Sequence, residues 1–85
     1  MTFTLVFDKK AAKELSKLQK NIKQRIFSKL IETKKDPKNF FEKLTEREDY
    51  KLRVGKFRII ADINTKEQRI EVTKIGLRKN IYKKI

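Results

Sequence analysis

Residues 50–60 read Tyr50-Lys51-Leu52-Arg53-Val54-Gly55-Lys56-Phe57-Arg58-Ile59-Ile60, with four cations and no acid in the stretch. Apolar residues alternate with others on both sides of Gly55-Lys56, the pattern of two strands joined by a tight turn. If glycine is the first central residue of that turn, Val54 pairs with Phe57, Arg53 with Arg58, Leu52 with Ile59 and Lys51 with Ile60. The two-residue period of a strand then predicts Tyr50, Leu52, Val54, Phe57, Ile59, Ala61 and Ile63 on one face. Lys51, Arg53 and Arg58 fall on the other. Like charges directly opposite each other on a ladder are destabilising, by about 0.2–1 kcal/mol. A bound anion would offset that repulsion, and a guanidinium forks onto two phosphate oxygens where lysine would be enough for solubility alone. The competing reading is a solvated face; a cross-strand cluster containing two arginines weighs against it.

Working outward, Phe3, Leu5 and Phe7 alternate with Thr2, Thr4 and Val6, which predicts a strand over Thr2 to Phe7. Asp8 stands at a helix N-cap position, and Ala12, Leu15 and Leu18 follow at helical spacing. After a break at residues 19–21, Ile22, Ile26, Phe27, Leu30 and Ile31 mark a second amphipathic helix that ends at Asp36-Pro37. Residues 38–49 read as a connecting loop, with Phe40, Phe41 and Leu44 docked on the core. Beyond the hairpin, the polar residues 64–68 separate the strand Phe57 to Ile63 from a last strand, Arg69 to Ile75, which Gly76 breaks. Leu77 to Ile85 is a basic tail. The order predicts an α+β fold: an N-terminal strand and a two-helix antiparallel hairpin packed on one face of a mainly antiparallel, four-stranded twisted sheet. Its other face is left open. Residues 1–85 are read as a single domain.

The chain carries 24 Lys plus Arg against 11 Asp plus Glu, a net charge of +13. Such self-repulsion points to an anionic partner: nucleic acid, an acidic protein or a membrane surface. Hydrophobic residues make up 38% of the chain, enough for a core and against wholesale disorder. There is no cysteine and no histidine, which excludes disulfides and thiolate chemistry and removes the commonest metal ligand and the usual general base. No metal and no small-molecule cofactor is expected. No run reaches the roughly 18 apolar residues of a membrane span, and the N-terminal run is too short and too early for a signal peptide. A cytoplasmic protein is the expectation.

The tail extends the cationic set. Lys74, Arg78, Lys79, Lys83 and Lys84 follow with no acid after Glu71, and Tyr82 adds an aromatic plane among them. Single-stranded RNA is read by stacking on aromatics combined with backbone contacts, which suits Tyr82 beside Arg78. Packing of the Tyr82 ring on the edge of the core is an equal alternative.

Three segments, FTLVFDKKAAKELSKL, DYKLRVGKFRIIADI and IGLRKNIYKKI, carry a resemblance to the RelE/ParE toxin superfamily that covers nearly the whole length. Specifically, the chain resembles a RelE-type mRNA interferase, the toxin of a type II toxin–antitoxin system. The resemblance implies a RelE-like fold and ribosome-dependent cleavage of mRNA in the A site, which leaves a cyclic phosphate and inhibits translation. It also implies a RelB-like antitoxin that neutralises the basic face. By position it makes Arg58 a phosphate clamp, Lys51 a phosphate ligand or acid, Arg78 a second clamp or acid, and Tyr82 the stacking or hydroxyl-contacting residue. Arg53, by parity, and Lys56, Lys74 and Lys79, by charge, complete the phosphate-binding set. Relatives often have a basic residue where Asp49 stands and histidine where Leu77 stands, so the base is unassigned. Two rival readings remain: a ParE-type inhibitor of DNA gyrase, and a non-catalytic nucleic-acid-binding module.

Overall fold

A computed structural model describes residues 2–44 and 49–77. The chain forms β1 (Thr4–Phe7), α1 (Lys9–Ser16), α2 (Lys20–Thr33), a single turn α3 (Pro37–Phe40), β2 (Glu42–Lys43), β3 (Tyr50–Val54), β4 (Phe57–Asn64) and β5 (Arg69–Leu77). The strands make one sheet in the order β1-β5-β4-β3-β2. All its pairings are antiparallel except β1 with β5, which run parallel.

The hairpin register is the one the alternation predicts, with Arg53 opposite Arg58 and Val54 opposite Phe57. Gly55 has φ +59, and Gln68 is the one non-glycine residue with positive φ among the described residues. Positive φ at the first central residue alone is the type II′ pattern, whose twist matches that of the strands it joins.

Asp8 caps α1: its Oδ1 accepts a 2.8 Å hydrogen bond from the Ala11 backbone N–H. α1 packs on the core through Ala11 and Leu15, with Leu18 just beyond its end, so Ala11 takes the place expected of Ala12. On α2, Ile26, Leu30 and Thr33 are buried, and the Thr33 hydroxyl donates to the Leu30 carbonyl at 2.6 Å. Phe27 and Ile31, expected in the core, lie on the flank instead, 47% and 43% exposed. The stripe at residues 26, 30 and 33 uses up the contact face. Phe27 stacks on Phe7 with ring centroids 6.5 Å apart.

These helical residues meet Leu52, Val54, Ile59, Ala61, Ile63, Ile70, Val72 and Ile75 from the sheet, with Phe41 closing one end. Burying one such aliphatic side chain stabilises the fold by about 1.5–3 kcal/mol.

Ile70, Val72 and Ile75 cannot all face the helices along a regular strand, since 72 and 75 differ by an odd number. A bulge resolves this. Ile60 pairs with Lys74 and Ala61 with Val72, so Thr73 is the extra residue, and its hydroxyl donates to the Ile60 carbonyl at 3.4 Å. β5 runs on through Gly76 to Leu77, further than the expected break at Gly76.

The sheet has a fifth strand where a connecting loop was expected. β2 is two residues long, too short for alternation to mark it, and pairs Glu42 with Lys51 and Lys43 with Tyr50. The face away from the helices is also less open than expected. On β4, Arg58 is 2% exposed and Ile60 4%.

β1 covers β5 only as far as Val72, which leaves the Ile75 backbone N–H on an unpaired stretch of edge. Glu14 from α1 accepts it, N to Oε1 at 3.0 Å. Charge-assisted bonds of this kind are worth roughly 1.5–3 kcal/mol, so Glu14→Ala should lower unfolding stability by about 1–2 kcal/mol in urea melts. Glu14→Gln, whose amide oxygen still accepts, should lose less than half of that.

Candidate nucleic-acid interface

On the face away from the helices the ladder sets side chains in rows. One row runs Glu42, Lys51, Ile60, Lys74 across β2, β3, β4 and β5. The next runs Arg53, Arg58, Gly76, so Arg58 has an arginine on one side and no side chain on the other.

Lys51, Arg53 and Arg58 line one cleft of about 260 Å³, together with Lys29, Asn39, Phe40, Glu42 and Leu52. Each wall has a separate origin. β3 and β4 supply the cations through parity. Asn39 comes from α3, the turn that Pro37 starts, and Phe40 from its end. α2 contributes Lys29, whose Nζ stands 5.3 Å over the Phe40 ring and 3.6 Å from Glu32 Oε2. Lys51 Nζ lies 3.6 Å from Glu42 Oε2, an ion pair between the cleft and the edge strand.

The deepest cation is Arg58. It is almost wholly out of water, where charges interact through a lower dielectric than at the surface. Arg53, opposite, is exposed. The arrangement can grip a phosphate from both sides of the ladder, with the Lys51–Glu42 pair beside it as a proton donor and acceptor.

The other expected residues divide. Lys74 lies on the same face, one strand beyond Arg58's, and does not line the cleft. Lys56 sits in the turn and lines a separate depression with Ile22, Arg25 and Ile26 on the helix side. Arg78, Lys79 and Tyr82 lie outside the described residues. Lys29, Asn39 and Glu42 were not foreseen. Lys29, next to the buried Leu30, borders the core stripe and could have been placed near the sheet by helical spacing alone.

Sheet, helices and cationic cleft together define a small toxin of the RelE/ParE fold. Residues 5–82 match the family described as ParE toxin of type II toxin–antitoxin system, parDE, and the chain belongs to that family. Among solved structures it is similar to the RelBE2 toxin–antitoxin complex of Mycobacterium tuberculosis, with TM-score 0.85, 17% identity, and 92% of this chain and 100% of that one covered. A variant of Escherichia coli RelE in the free state aligns with TM-score 0.81 and 23% identity over 98% of this chain and 93% of that one. The archaeal RelE–RelB complex from Pyrococcus horikoshii aligns with TM-score 0.75 and 25% identity, over 92% and 97%. No curated protein matches the chain.

If Arg53 and Arg58 repel across the ladder, Arg53→Gln should stabilise the free protein by about 0.2–1 kcal/mol at low salt, with the gain fading as salt screens the pair. Urea melts at two ionic strengths test this. The same variant should bind RNA more weakly.

Proposed function

We propose that this toxin is an mRNA interferase: an endoribonuclease of the cytoplasm that cuts mRNA in the ribosomal A site and so inhibits translation. Its partner is a RelB-like antitoxin that covers the basic face. The observation that carries this reading is the convergence of Lys51, Arg53 and Arg58 on one cleft beside a carboxylate.

Cleavage of this kind has three requirements. The 2′-hydroxyl loses its proton as its oxygen attacks phosphorus, the pentacoordinate phosphorane is held by cations, and the 5′-oxygen takes up a proton as its bond to phosphorus breaks. A cyclic phosphate remains on the 2′ and 3′ oxygens. Arg58 clamps the phosphorane oxygens from below and Arg53 from across the ladder. Glu42, the acid that lines the cleft, accepts the 2′ proton. Lys51, held 3.6 Å from it, gives its proton to the leaving oxygen. Arg78 adds a second clamp or acid and Tyr82 a stacking plane, as the superfamily resemblance implies. With so few groups to orient a flexible substrate, free RNA is cut poorly and the ribosome does the positioning.

The match of residues 5–82 to the ParE toxin family favours a second reading, inhibition of DNA gyrase. The two separate in one experiment. Purified protein is added to ribosomes paused on a defined mRNA, with free mRNA alongside, and new ends are mapped by primer extension. The interferase reading expects cuts in the A-site codon, lost in Arg58→Ala. In Glu42→Gln cutting should slow about 10²–10⁴-fold with ribosome binding retained, the usual loss when a general base is removed. No cutting, with block of gyrase supercoiling by the same preparation, would establish the second reading instead.

A further inference from the structure

A second cleft, of about 360 Å³, lies round the edge of β3 between α2 and the β3–β4 turn, lined by Arg25, Ser28, Lys29, Glu32, Arg53, Val54 and Gly55. It shares two walls with the first, Arg53 and Lys29. The two are therefore neighbouring stations on one track, and the cations along it run Arg58 and Lys51, then Arg53 and Lys29, then Arg25.

Arg25, exposed on α2, reaches over the turn. A Cβ at Gly55 would stand 3.3, 3.6 and 3.7 Å from its Nη1, Cζ and Nη2. Three nearly equal distances mean that the guanidinium lies flat on the turn, in the space that the absence of a side chain leaves. A planar group laid flat this way turns its N–H edge outward, where it can fork onto phosphate oxygens. Among the described residues no carboxylate pairs with Arg25 or Arg53, and Glu32, at the rim, is paired with Lys29.

We propose that this second cleft binds a further phosphate of the same RNA strand, so that the backbone gripped at Arg58 and Lys51 continues over Arg53 and is held by Arg25 against Gly55. The proposal rests on the reading of the first cleft as a phosphate site and extends it. Such a contact carries no sequence information. It fixes the direction and path of the strand through the site.

The test uses fluorescence anisotropy with uncleavable 2′-deoxyuridine oligonucleotides of about four and about twelve nucleotides, lengths that bracket a small single-strand site. Wild type is compared with Arg25→Gln, with Arg58→Ala for the first cleft, and with Lys10→Gln as a charge-matched control on α1. Arg25→Gln should weaken binding of the long oligonucleotide about three- to tenfold, reduce its salt slope by about 0.7 and leave the short one nearly unchanged, as loss of one single-strand phosphate contact requires. If Arg25→Gln only matches Lys10→Gln on the long oligonucleotide, the second contact does not exist, while a loss in Arg58→Ala would leave the first cleft standing. If Arg58→Ala matches Lys10→Gln on both lengths, the phosphate reading of the first cleft fails and this proposal with it. If a polyglutamate peptide binds with an affinity that depends on Arg25 while the oligonucleotides do not, the cleft takes an acidic protein segment, and the proposal is overturned.

Discussion

The two-residue period of the β3–β4 hairpin is the constraint on which the rest of this molecule depends. Gly55, at φ +59, sets the turn, and the turn sets which side chains face the helices. In this register Leu52, Val54 and Ile59 complete the core while Lys51, Arg53 and Arg58 go to the opposite face. A slip of one residue would exchange the two sets, driving three cations into the apolar layer. Packing against α2 and cation clustering thus have one cause. The hydrophobic effect that seats the hairpin also sets these three cations side by side.

The remaining elements supply what the hairpin lacks. The Thr73 bulge lets β5 present both Val72 and Ile75 to the core, and moves Lys74 and Gly76 to the cationic side. Gly76 then leaves the flank of Arg58 free of a side chain. β2, though short, brings the Glu42 carboxylate to Lys51.

Much of this was legible in the sequence because it rests on short-range rules. Alternation around Gly55 gave the register, Asp8 before a helical pattern gave the cap, and parity gave Lys51, Arg53 and Arg58 a common face. What escaped depends on tertiary packing. Two residues cannot show a period, so alternation does not separate β2, and with it Glu42, from loop. Helical spacing puts Phe27 and Ile31 on the apolar stripe of α2, yet the face through Ile26, Leu30 and Thr33 is the one that is buried. The odd spacing of Ile70, Val72 and Ile75 was a visible sign of a bulge that a plain alternation count passes over. Asn39 and Lys29 enter the cleft only because Pro37 starts a turn that brings Phe40 beneath Lys29.

The place of β5 between β1 and β4 bears on when the protein can come into being. Its neighbours are β1, the first strand made, and β4, and β1 touches the sheet only through it. Until residues 69–77 have been synthesised, the N-terminal strand has no partner in the sheet, and β4 is paired on one side only. Closing β1 onto β5 spans most of the chain, a long-range step that comes late and slowly. A partly made chain on a ribosome therefore carries the residues of the cleft without the cleft itself, and the cell that makes this toxin meets its finished surface only after the last strand has emerged.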